Sequence, residues 1–159
     1  MHVVLFEPEI PPNTGNVARL CAAMGVELHL IEPLGFSLED RYLKRAGLDY
    51  WPHVRVFVWP DMAAYRNGPG REKRLVASSS RSGEPVHRFA FTRNDALVLG
   101  PETRGLPPHV LESVSHCVRI PISGKVRSLN LSTAAGILLV QAMAGCGLLD
   151  EPASKPDHA

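Results

Sequence analysis

Apolar and polar positions along this chain switch between two periods. Residues 3–6 are a short continuous apolar run, the pattern of a strand covered on both faces. Val17, Leu20, Ala23 and Met24 then recur at helical spacing, and Gly25 stands where a left-handed glycine would stop that helix. Residues 27–31 read as a second strand. Ser37-Leu38-Glu39-Asp40 reads as a capping box opening a short helix that Gly47 would close. Residues 54–59 alternate as a third strand, and Pro60-Asp61 starts a short helix through Tyr65. Residues 75–77 and 96–99 are further strands. Pro107 and Pro108 suit the first turn of a helix through Leu111 and Val114, and residues 117–122 form the last strand. Residues 131–149 make the longest helical stretch, apolar nearly all round, so it must be buried on more than one side, by its own sheet or by another subunit.

Strands alternating with helices predict an α/β fold with a mostly parallel sheet and helices on both faces. Ligands of such sheets bind beyond the carboxyl ends of the strands, which directs attention to the loops after Phe6, Ala77, Leu99 and Ile122. The 159 residues suit one domain, residues 1–149, and residues 150–159, with two prolines and no apolar pattern, read as a disordered tail. No run approaches the length of a membrane span, and the amino terminus reads as a strand, not a signal peptide. Three scattered cysteines, Cys21, Cys117 and Cys146, argue against a disulfide framework or zinc cluster and favour a reducing, cytoplasmic setting. Lys plus Arg number 17 against 16 Asp plus Glu, a balance that does not announce a nucleic-acid binder. Two basic clusters, Arg41/Lys44/Arg45 and Arg71/Lys73/Arg74, read on charge alone as solvated faces.

Several chemistries are missing. There is no GxGxxG, HExxH or GxSxG, and Gly100 and Gly105 have P-loop spacing without the Lys and Ser/Thr that should follow. The seven histidines form no pair at helical spacing, so no metal site is expected.

Three loops carry more polar groups than their turns need. In residues 7–19, prolines fix the approach to a helix that Asn13 or Thr14 could cap, yet Asn13, Asn16 and Arg19 all gather near its start. Residues 99–107 hold two glycines and two prolines, a stiff backbone able to approach a ligand, with Glu102 and Arg104 at the mouth. Residues 120–136 place Ser128, Asn130 and Ser132 before the long apolar helix, where one cap would suffice.

Together, residues 13–19, the run Gly100-Pro101-Glu102-Thr103-Arg104-Gly105-Leu106-Pro107, and Ser128-Leu129-Asn130-Leu131-Ser132 resemble the three motifs of SPOUT-class RNA methyltransferases. With residues 6–16 and Arg45-Ala46-Gly47-Leu48-Asp49-Tyr50, the chain is most similar to the branch that 2′-O-methylates the wobble cytidine or uridine, position 34, of tRNA. That resemblance implies a C-terminal trefoil knot, an obligate homodimer, and S-adenosylmethionine held by Ser78, Gly100, Ile120, Ser128, Leu129 and Asn130. It implies Arg19, Asn13, Glu102 and Ser128 as the catalytic group, with Arg19 as base. Because a free arginine stays protonated, a clamp on the hydroxyl or the adjacent phosphate is the physical alternative. The anticodon loop of tRNA would meet Arg41, Lys44 and Arg45, with Tyr50 and Trp51 as a stacking face. Ribosomal RNA, another tRNA position, or RNA binding without catalysis are the other readings that the motifs leave open.

Overall fold

Among the described residues, the apolar runs form strands that pair without a single hairpin. The computed structural model describes residues 1–39 and 51–150. Strands β1 (His2–Phe6), β2 (Glu27–Ile31), β3 (Val56–Trp59), β4 (Arg74–Ser78), β5 (Glu84–Pro85), β6 (Asp95–Leu99) and β7 (His116–Arg119) make one sheet, ordered β3-β2-β1-β6-β4-β7-β5. Every pairing is parallel, where a mostly parallel sheet is expected. Helices α1 (Pro11–Met24), α2 (Met62–Asn67), α3 (Pro108–Ser113) and α4 (Leu131–Gly145) cover it.

Alternation within each strand feeds two separate cores. Val3, Leu5, Leu28, Leu30, Val76, Leu97 and Leu99 face α1 and α4, whose Val17, Cys21, Leu138 and Leu139 are fully buried. Val4, Phe6, Ile31, Leu75, Ala77 and Val98 face the other way, onto Tyr65 of α2 and Leu106 and Val110 near α3. Full burial of one such aliphatic side chain is worth about 1.5–3 kcal/mol, so both faces contribute.

The order contains a reversal. The chain moves outward through β1, β2 and β3, then crosses to β4 on the far side of β6. The carboxyl ends of β1, β6, β4 and β7 therefore open onto one crevice, the topological position where α/β sheets bind ligands.

Several boundaries differ from expectation. β7 ends at Arg119, because Pro121 lacks the N–H a ladder needs, and residues 120–122 belong to the crevice loop. The long helix stops at Gly145, not Leu149. The short strand β5, half proline, carries no periodicity and was not expected. Gly25 does end α1 in the left-handed conformation, at φ +67°. The expected helix over 37–47 lies mostly outside the described residues, as do residues 151–159 of the expected tail. Arg74 is not part of a solvated face. Its guanidinium donates to the fully buried Asp95 carboxylate at 2.6 and 2.8 Å and ties β4 to β6. Burial works to raise the Asp95 pKa, but bonds from Arg74 and Thr92 prevail and hold it below the usual carboxylate range.

Candidate active site

α1 begins without a side-chain cap. Pro11 and Pro12 occupy its first positions, where a missing N–H costs nothing, and Ile10 precedes them. The capping alternative for Asn13 and Thr14 is thus incorrect, because both lie inside the helix and are buried. Asn13 uses its side chain elsewhere. Its Nδ2 donates to Glu102 Oε1 at 3.1 Å, and its Oδ1 accepts from Asn130 Nδ2 at 2.9 Å. Asn130 is the N-cap of α4, its Oδ1 accepting from the amides of Ser132 (2.9 Å) and Thr133 (3.3 Å). Capping was therefore the right account of part of the third loop, and Asn130 does both jobs.

Glu102 also accepts the backbone amides of Glu9 (2.9 Å) and Ile10 (3.2 Å). The first loop returns the contact: Glu9 accepts the amide (2.9 Å) and hydroxyl (2.8 Å) of Thr103. The Thr103 amide holds the Glu9 carboxyl below its ordinary pKa. Arg104 pairs with Glu7 and lies 3.5 Å from Glu9. Glu7 itself takes φ +46°, a costly conformation for a side-chain residue of the kind that concentrates at functional sites. Gly100 is required by close approach, since a Cβ there would meet the Leu106 amide at 2.3 Å.

These contacts surround a cavity of about 680 Å³. Asn13, Ser78, Gly100, Glu102, Ile120, Ser128, Leu129 and Asn130 all line it, so eight expected residues from four segments converge. Arg19 does not line it. It lies on the exposed stripe of α1 with Pro12, Asn16 and Ala23, away from the face that carries Asn13. Arg41, Lys44, Arg45 and Tyr50 lie outside the described residues, and Trp51 begins a single turn over Trp51–His53. Ser79, Ser80, Arg81 and Arg127 also line the cavity and were not singled out, although the serine run following a strand's carboxyl end was a visible signal. Glu9 and Thr103 were missed because their role is to hold each other.

A second polar cluster sits toward the amino ends of β1 and β2, away from the crevice. His2, Glu27 and His29 meet across β1 and β2, with Glu27 Oε2 at 3.3 Å from His2 Nε2 and 3.5 Å from His29 Nε2. Strand-to-strand proximity of this kind has no signature in sequence spacing. The donor set does not suit a metal. Trp59 Nε1 can only donate, and it does so to His29 Nδ1 at 3.0 Å, which leaves the His29 proton on Nε2, the atom a metal would need. Two donors remain, too few for a closed site.

Similarity to known proteins agrees with the cavity. Residues 1–140 match the SpoU rRNA Methylase family. The chain is 46% identical over 145 residues, 88% of its own length and 92% of the relative's, to a tRNA (cytidine(34)-2′-O)-methyltransferase of Methylovorus glucosotrophus. To the protein of the same name in Escherichia coli K12 it is 43% identical over 145 residues, covering 89% and 91%. A solved structure described as giving insight into 2-OH methylation of C/U34 on tRNA superimposes with a TM-score of 0.88 at 46% identity, over 94% of this chain and 97% of that one. The AviRb methyltransferase of Streptomyces viridochromogenes, in complex with AdoMet, shares the fold at a TM-score of 0.83 and 23% identity, over 91% of this chain and 57% of that one. No helix among the described residues is long and apolar enough to cross a membrane. On sequence, fold and the placing of its three motif loops, the chain belongs to the SpoU methylase family.

Proposed function

We propose that the chain methylates the ribose 2′-oxygen of the wobble nucleotide, position 34, of tRNA, with S-adenosylmethionine as methyl donor. The observation that carries the reading is the Glu102–Asn13–Asn130 chain, which joins the three motif loops around one cavity. Relatives matched over nine-tenths of their length bear that activity in their names.

The cavity fits the donor. Its volume lies in the usual range for cofactor sites, and its walls mix apolar Leu99, Ile120, Ile122, Leu129 and Leu131 with polar Ser78, Asn13 and Asn130. Ser78, Gly100, Ile120, Ser128, Leu129 and Asn130 are the residues that would hold it. When bound, S-adenosylmethionine supplies a sulfonium methyl already activated for displacement, chemistry that needs no Lewis acid, so no metal is required. The chain's own task is to align the hydroxyl oxygen and to assist loss of its proton. Asn13 and Glu102, bonded to each other, and Ser128 line the same cavity and would position the ribose there.

Arg19 remains the proposed base or hydroxyl clamp, but it would serve a second copy of the chain. Helix α1 packs against α4, which carries an exposed stripe of its own formed by Thr133, Ile137, Val140 and Ala144, with Ile137 and Val140 40% and 44% exposed. Two such stripes meeting their copies give a homodimer in which Arg19 approaches the partner's cavity. Between β7 and α4 the chain lines the cavity at Ile120, Ile122 and residues 127–131, which supports a C-terminal segment folded back into a knot.

Mapping 2′-O-methylation after incubating purified enzyme with unmodified tRNA and ribosomal RNA tests the reading. Modification at position 34 is expected. Modification only of ribosomal RNA, the substrate in the family's description, would replace it. In single-turnover assays Arg19→Ala should lower the rate about 100-fold, the scale of a positioned acid–base group, while donor binding survives. A loss of donor binding in step with the rate would make Arg19 structural.

A further inference from the structure

The basic cluster at residues 71–74 divides in two. Arg74 is committed to Asp95 and to the Ala90 carbonyl. Arg71 and Lys73 are not. With Arg66 of α2 they line a groove of about 420 Å³, beside Asn67 and Gly70. No acidic side chain lines this groove, and none of the three cations forms an ion pair among the described residues. Glu72, exposed between Arg71 and Lys73, stands outside its wall.

The groove is built rather than incidental. The turn that carries it is closed by Gly70 N–H to Tyr65 O at 2.9 Å, Arg71 N–H to Gly68 O at 3.1 Å and Lys73 N–H to Gly70 O at 3.1 Å. Arg66 is held at its far end by donating to the Ser113 carbonyl at 3.2 Å. Two guanidinium forks and an ammonium, held apart by backbone and free of carboxylates, suit phosphate oxygens.

Its position is informative. The groove lies at the amino end of β4, on the Tyr65 and Leu75 face, opposite the face carrying Arg19, Ile137 and Val140. The cavity lies at the carboxyl end of the same strand, roughly 15 Å away for five residues at about 3.3 Å each. Along that flank, α3 leads from the motif loop at 99–107 to Ser113, the residue Arg66 grips.

We propose that the Arg66–Arg71–Lys73 groove is a second RNA contact, taking backbone phosphates of the duplex stem that continues from the methylated loop. The proposal rests on tRNA being the substrate. Contact with phosphates alone gives affinity and orientation without sequence choice, which suits an enzyme whose specificity resides at the loop.

The test compares full-length tRNA with a loop-only oligonucleotide, using the wild type and the Arg71→Ala/Lys73→Ala double variant. The KM for full-length tRNA should rise about tenfold, and the slope of log affinity against log salt should fall by about two. Saturated kcat, the KM for S-adenosylmethionine and the KM for the loop-only oligonucleotide should hold. Unchanged KM and salt slope on full-length tRNA would overturn the proposal, as would an equal rise on the loop-only RNA. Wild-type enzyme that methylates neither RNA would refute the tRNA reading itself. Binding titrations with a short RNA duplex would still report on the groove: weaker duplex binding by the double variant supports it, and equal binding overturns it. A charge-conserving Arg71→Lys variant should keep most of the affinity, which a variant that merely disturbed the turn would not.

Discussion

Trp59 decides what the buried histidine pair can do. Its indole N–H occupies the one lone pair of His29 Nδ1, so protonating His29 would set two donors against each other. Burial pushes the His29 pKa down to about 4, and Glu27 opposes this only in part. Burial, followed by the charges of His29 and Lys73, takes His2 down to about 3. Both folded values lie below the ordinary 6.5, so the unfolded chain takes up protons that the folded chain refuses between pH 6.5 and about 3. Stability is therefore whole above pH 6.5 and falls as pH drops through that window. Urea midpoints measured from pH 7.5 to 4 should decline steadily below 6.5, and His29→Gln should flatten the decline. A midpoint independent of pH across this range would contradict the assignment.

At the scale of elements, the site is a set of loops that brace one another. Glu9 and Glu102 each accept an amide from the other's loop, so removing one carboxylate loosens both. Glu9→Ala should lower kcat about tenfold, roughly the scale of one lost charge-assisted hydrogen bond. The KM for tRNA should change much less, because Glu9 acts through Glu102 and carries no phosphate contact. A matching rise in the KM for tRNA with kcat intact would place Glu9 on the RNA instead. The strands and long helices were legible in the sequence because burial leaves largely apolar runs such as 3–6 and 131–145 and a helical spacing at Val17, Leu20, Ala23 and Met24. Six of the eight cavity residues were legible because they lie in motifs that resemble a known class, and Ser78 and Ile120 followed only as what that resemblance implies; capping alone could not account for Asn13 or Asn130. What was not legible had no local cause. The strand β5, the His2–Glu27–His29 meeting and the commitment of Arg74 to Asp95 all depend on which strands become neighbours.

Across the whole molecule, one chain supplies a cavity and an arginine that point to different places. Two inactive variants should then rescue each other. Arg19→Ala keeps an intact cavity and Glu102→Gln keeps an intact arginine, so if Arg19 serves a second copy as proposed, a mixed dimer would contain one complete site. Refolding the two together should restore about a quarter of wild-type activity, the statistical yield for a two-fold assembly. No recovery, with mixed dimers demonstrated, would return Arg19 to its own cavity. The bonds that close that cavity also share a direction. The amides at the start of α4 donate to Asn130, Asn130 donates to Asn13, and Asn13 donates to Glu102. Every hydrogen points toward the carboxylate, so the positive end of a helix and a negative charge polarise the same two amides from opposite sides. A chain ordered in this way transmits sign as well as shape: the charge on Glu102 is felt at the first turn of α4, the helix whose exposed stripe would meet the second copy.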